Sequence, residues 1–246
     1  MHTLSAKSSQ HGFTLIELMV VLLLLSVLMG AVFSQVSQIQ ARANTEQSRT
    51  DTFSEAREFV DQMSRDLRGA GYPNARNWAA GVLTTPTIND SRNAVGLVRV
   101  AADELRFEGD IDGNGNVESV VYSLTNTGND CPCLRRSEQT KLAANPLTGQ
   151  GTPAFVGTAV QGVQNGTTGD PIFRAFTANG TAVTLPVDIN SSPVALTSIA
   201  AVQVSMTVRS PVVDVQTGQR PGTNLQTTIW LSNCSGATTG QTRSCQ

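Results

Sequence analysis

Three patterns of apolar and polar positions follow one another along the chain. The first is a continuous apolar run, FTLIELMVVLLLLSVLMGAVF, from Phe13 to Phe33, broken by one charge, Glu17. A run of that length and polarity predicts a helix able to cross a bilayer. The second pattern, from Ser34 to Arg68, is polar and free of Pro and Gly, and it sets Phe53, Ala56, Val60, Met63 and Leu67 at spacings of three and four. Those spacings predict an amphipathic helix that lays this stripe on a globular domain. A coiled-coil seam competes with that reading, but the stripe lasts only about two heptads. Gly69-Ala70-Gly71-Tyr72-Pro73 ends the helix, with glycine at its C-terminus and proline beyond. One helix from about Thr14 to Arg68 would be about 80 Å long.

After Pro73 the period changes to two. Val202, Val204, Met206 and Val208 alternate with Gln203, Ser205 and Thr207, the pattern of a half-buried strand. Glu104–Glu108, Glu118–Leu124 and Gln226–Ser232 also read as strands, and Ile172–Phe176 and Ala182–Leu185 are weaker candidates. Stretches rich in Gly, Asn, Thr and Pro, especially 142–170 and 210–224, predict long loops. The expected fold class is α+β, a long N-terminal helix packed on an antiparallel sheet. The expected division is a polar segment over 1–12, a membrane-spanning helix over 13–33, its amphipathic continuation over 34–72, and a β-rich domain over 73–246.

Composition removes several function classes. The chain of 246 residues carries 17 Lys and Arg against 19 Asp and Glu, with no basic excess to suit a nucleic acid. Its two histidines, His2 and His11, both precede the apolar run. Beyond them no Ser-His-Asp triad, Cys-His pair or His-ligated metal can form. Lys141 is the one lysine after Lys7, and it lies in no glycine-rich loop. No enzymatic constellation is visible, and the protein is not expected to be an enzyme. Nor is the N-terminus a conventional signal peptide, because the apolar run passes into the polar helix without a small-residue cleavage site.

Glu17 needs a partner or a task, since a carboxylate within a span costs roughly 2.5–3.5 kcal/mol on insertion scales. In isolation it reads as a residue snorkelling to the membrane edge. Its neighbours change that. Gly12-Phe13-Thr14-Leu15-Ile16-Glu17, continued by the apolar run, resembles the processing site of type IV prepilins and pseudopilins. The resemblance implies cleavage after Gly12 by prepilin peptidase and N-methylation of Phe13. It implies that the Glu17 carboxylate neutralises the N-terminal amine of a neighbouring subunit during assembly. It also implies other pilins and an inner-membrane assembly platform as partners, and a domain held in the periplasm before it enters a filament. The segment differs from many major pilins in having no proline before Pro73.

Phe59–Arg68 followed by Gly71-Tyr72, the strand at Leu105–Phe107, the turn Asp110–Asn116, and Leu134-Arg135-Arg136 resemble PilW-type minor pilins and J-type pseudopilins. So does the closing pair Val202–Arg209 and Leu225–Asn233. The implied role is a minor pilin of a type IV pilus acting in filament assembly or initiation. A type II secretion pseudopilin is the alternative, and an adhesive or DNA-capturing tip pilin follows it.

Two features stand apart from that resemblance. Asp110, Asp112, Asn114, Asn116 and Glu118 offer oxygens in the order of a calcium loop, and Gly115 permits its sharp turn. The twelfth position is Val121, so this is not an EF-hand, and a plain hairpin turn also favours Asp, Gly and Asn. Calcium is therefore the one cofactor to consider. Cys131, Cys133, Cys234 and Cys245 make an even set beyond the membrane helix and suggest disulfides. A bridge between Cys131 and Cys133 spans only Pro132 and would be strained, which favours cross-links from that turn to Cys234 and Cys245. The alternative is a Cys234–Cys245 loop with the other two joined or free.

Overall fold

A computed structural model describes residues 12–73, 88–128, 131–155, 157, 159–214 and 216–233. One helix, α1, runs without a break from Leu15 to Gly69, 55 residues. Thr14 caps it: the Thr14 hydroxyl accepts from the Glu17 amide at 3.4 Å, and the Glu17 carboxylate accepts from the Thr14 amide at 3.5 Å. This reciprocal capping box satisfies two of the otherwise orphaned amides of the first turn. At the other end Gly71 takes a positive φ of 81°, and the chain leaves through Tyr72 and Pro73.

The sheet strands are β1 (Leu97–Val100), β2 (Glu104–Gly109), β3 (Glu118–Thr125), β4 (Cys133–Thr140), β5 (Ala154–Phe155), β6 (Val160–Gln161), β7 (Phe173–Thr177), β8 (Ala182–Val183), β9 (Val187–Asp188), β10 (Ile199–Arg209) and β11 (Gly222–Trp230), with a short helix α2 at Pro193–Thr197. They form two antiparallel sheets rather than one. The first runs β5-β4-β3-β2-β1-β9, with β6 also on β4; the second runs β11-β10-β7-β8. A bridge between Val163 and Val208 joins them. Glycine-rich turns and short strands let the chain change sheets, so the polar loops expected over 142–170 include β5 and β6.

The core lies between α1 and these sheets. Ala56, Val60, Met63 and Leu67 are buried as the spacing predicts, and Phe59 joins them. Phe53 does not: it is 37% exposed, at the margin of a stripe whose axis passes through Ala56 and Met63. Phe59 meets Tyr122 edge to face at 5.5 Å, and Phe107 stacks on Tyr122 at 6.2 Å. The register pairs Leu105 with Tyr122 and Phe107 with Val120, placing these large side chains on the face that receives the helix.

The end of α1 is seated on β2. The Gly71 amide donates to the Glu108 carbonyl at 2.8 Å, and the Asp110 amide donates to the Tyr72 carbonyl at 2.7 Å. The approach is close enough that a Cβ on Gly109 would lie 2.4 Å from the Gly69 carbonyl oxygen. Only glycine fits there.

Candidate functional site: the helix that projects from the domain

Among the described residues, the first half of α1 packs on no other part of its chain. Its most apolar stretch has a mean hydropathy of 2.7 and none of it is buried. Phe13 is 78% exposed and Leu15 is 77% exposed. At about 25 cal/mol for each Å² of apolar surface, such a stretch is strongly favoured to leave water for lipid or for the helices of other subunits. Glu17 lies one turn into this surface, exposed, with its own Thr14 amide as its hydrogen-bond partner. Gly12 stands just before the cap with no other atom within 4 Å of a Cβ placed on it. Gly12, Phe13 and Glu17 thus lie together at one exposed helix end.

The second half of α1 is fixed to the sheets by a buried polar cluster that spacing along the helix does not reveal. Asp66 is 1% exposed. Its Oδ2 accepts from the Tyr122 hydroxyl at 2.7 Å and from Arg136 Nε at 2.6 Å, and its Oδ1 accepts from Gln62 Nε2 at 2.6 Å. Arg136 also contacts Glu138. Burial, and then the Asp66 carboxylate, push the Tyr122 phenol well above its ordinary value. Arg136 shifts upward as well: burial opposes this, and the Asp66 hydrogen bond and charge outweigh it. Arg135 lies 5.5 Å over the Phe155 ring. The two arginines that follow Leu134 therefore serve internal contacts rather than a basic stripe.

The Asp110 turn joins β2 to β3. Carboxylate oxygens of Asp110, Asp112 and Glu118 lie within 4.8 Å of one another. Each also serves the turn: Asp110 Oδ2 accepts from the Gly115 amide at 3.1 Å, Asp112 Oδ1 from the Asn114 amide at 3.0 Å, and Glu118 Oε2 from the Ile111 amide at 3.0 Å. Asn114 Oδ1 accepts from the Asn116 amide at 2.7 Å, so the side chain of Asn114 is turned to the backbone. Burial raises the Glu118 carboxyl above its usual value, the Ile111 amide lowers it, and Asp112 and Asp110 raise it further.

The cysteines depart from the favoured pairing. Cys131 is joined to Cys133, with their Cα atoms 4.5 Å apart. The turn at Pro132 brings the two within the span that a disulfide bridges, which counting residues along the chain does not show. Cross-links from this turn to the C-terminal tail are thereby replaced. Cys234 and Cys245 lie outside the described residues.

The family model of the prokaryotic N-terminal methylation motif matches residues 7–33. This is the segment that carries Gly12, Phe13 and Glu17 and the start of the uncovered helix. Its N-terminal segment is that of a type IV pilin-like prepilin. No curated protein and no solved structure matches it. The prepilin motif implies processing by prepilin peptidase and assembly with other pilins, the role of a structural subunit. The apolar half of α1 is long and apolar enough to anchor such a prepilin in a membrane.

Proposed function

We propose that this prepilin is a minor pilin of a type IV pilus, taking part in the assembly or initiation of the filament. The observation that carries the reading is the apolar half of α1, which packs on none of the other described residues and carries Glu17 near its free end. Cleavage after Gly12 frees the Phe13 amine. In the filament core that amine on one subunit meets the Glu17 carboxylate of the next. Opposite charges attract far more strongly there than in water, and either charge without its partner is penalised. Before assembly the apolar half lies in the inner membrane with the β-rich domain in the periplasm.

The test is the intact mass of the chain from cells with and without prepilin peptidase. The expected product begins at methylated Phe13 only when the peptidase is present, and a chain that keeps Met1–Gly12 in competent cells overturns the reading. Glu17→Val is expected to be cleaved normally, to stay in the membrane fraction, and to fall at least tenfold in sheared filaments. Loss of pili on deletion, with protein secretion intact, supports the pilus; the reverse result identifies a type II secretion pseudopilin.

Calcium is the cation that the Asp110 turn would take. Three converging carboxylates on a hairpin support it, and the cation would pin β2 to β3.

A further inference from the structure

Lys141 follows β4, is the only lysine after Lys7, and has a fully buried side chain. Its Nζ donates to Glu108 Oε2 at 2.7 Å, to the Asn93 backbone carbonyl at 2.8 Å and to the Ile88 carbonyl at 2.9 Å. Glu108, on β2, is equally buried; its Oε2 also accepts from the Val95 amide at 3.2 Å, and its Oε1 has no hydrogen-bond partner. Asn93 precedes β1 and is 0% exposed, yet among the described residues neither its Nδ2 nor its Oδ1 has a hydrogen-bond partner. A native interior rarely leaves a carboxamide wholly unsatisfied, because both of its polar atoms have given up water. This carboxamide belongs to the residue whose backbone already accepts from the lysine, which sets its carbon within about 7 Å of the amine.

An amine, a carboxamide and a carboxyl group thus share one dry site. We propose that the Lys141 amine and the Asn93 side chain are joined by an intramolecular isopeptide bond, with Glu108 as the proton-transfer group. The steps balance without an oxidant or a reductant. Glu108 takes one proton from the ammonium, leaving a neutral amine beside a neutral acid, the pair a low-dielectric site favours over two buried charges. The Nζ lone pair attacks Asn93 Cγ, and a bond forms between Nζ and Cγ. The Cγ–Nδ2 bond then breaks. Ammonia leaves carrying one hydrogen that came from Nζ, passed through the Glu108 carboxyl, and the last Nζ hydrogen becomes the amide N–H. Burial raises the Glu108 carboxyl more than Lys141 and the Val95 amide lower it, which suits a group that must hold the proton. Glu108 touches the attacking nitrogen and is in that sense catalytic. The product replaces an unsatisfied carboxamide and a buried charge with a neutral amide.

The full chain, extracted from membranes in detergent, reduced and denatured, gives the answer by mass. The expected chain is lighter by one ammonia than its processed sequence. Trypsin is expected to leave Lys141 uncut and to yield a branched product in which Asn93–Arg99 is attached to the peptide that begins at Ser137. Asn93→Ala keeps the Lys141–Glu108 pair, and Glu108→Gln keeps the shape of the site; each is expected to show no ammonia loss. A full-mass native chain whose Lys141 is cut by trypsin and takes an amine-reactive label once denatured overturns the bond. It would leave an ion pair that pins the segment before β1.

Discussion

Asp66 is the side chain on which the helix-to-sheet contact turns. It holds Tyr122, Arg136 and Gln62 at once from a position with 1% exposure. Asp66→Ala leaves the buried Arg136 guanidinium with Glu138 as its one remaining carboxylate among the described residues and strips Tyr122 and Gln62 of their acceptor, and it is expected to cost about 3–5 kcal/mol. Tyr122→Phe removes one hydrogen bond to a charged group and is expected to cost about 1.5–3 kcal/mol. Urea unfolding followed by far-UV circular dichroism reads both, and an equal loss in the two variants would contradict the ranking. None of this is legible along the sequence. An aspartate among Arg65, Arg68 and Asp61 reads as part of a solvated face, and its partners come from β3 and β4, which the chain reaches only some fifty to seventy residues later.

At the scale of elements, the long periodic ones were legible, and of the two-residue strands only β8 showed, within the weaker candidate Ala182–Leu185. The apolar run and the stripe through Ala56, Val60, Met63 and Leu67 specify α1 to within a residue or two of its ends. β2, β3, β10 and β11 alternate over enough residues for period two to show. β5, β6, β8 and β9 have two residues each, too few to carry a period. β4 reads as polar, CLRRSEQT, because the group that matches its buried Arg136 is the carboxylate on α1. The stripe itself makes a sharp prediction. Met63→Ala empties a fully buried site and is expected to cost about 2–5 kcal/mol. Phe53→Ala, at the margin, is expected to cost less than about 1 kcal/mol in the same unfolding measurement.

For the whole molecule, the N-terminal segment was readable because its chemistry is local: a glycine, a phenylalanine and a glutamate in one short stretch. The Asp110 turn is local too, but its outcome depends on the balance of charges in the folded hairpin. Burial, with the neighbouring Asp112 and Asp110, holds the Glu118 carboxyl above its unfolded value. A carboxyl shifted that way contributes most below its unfolded pKa, and that contribution is lost as the pH rises through the folded pKa. In calcium-free buffer Glu118→Gln is therefore expected to raise Tm at neutral pH, with the gain vanishing below about pH 4. Millimolar calcium is expected to raise the Tm of the unaltered chain and reverse this order; a Tm that calcium does not move reduces the site to a hairpin turn. The contact between Gly69 and Gly109 matters in another way once the chain is regarded as a machine part. In the filament proposed above, a subunit under tension would be pulled along α1. That pull would leave the helix where the segment after Gly69 is hydrogen-bonded at the C-terminal end of β2, an interior strand of its sheet. Traction would thus be handed to a strand flanked on both sides, which must shear rather than peel.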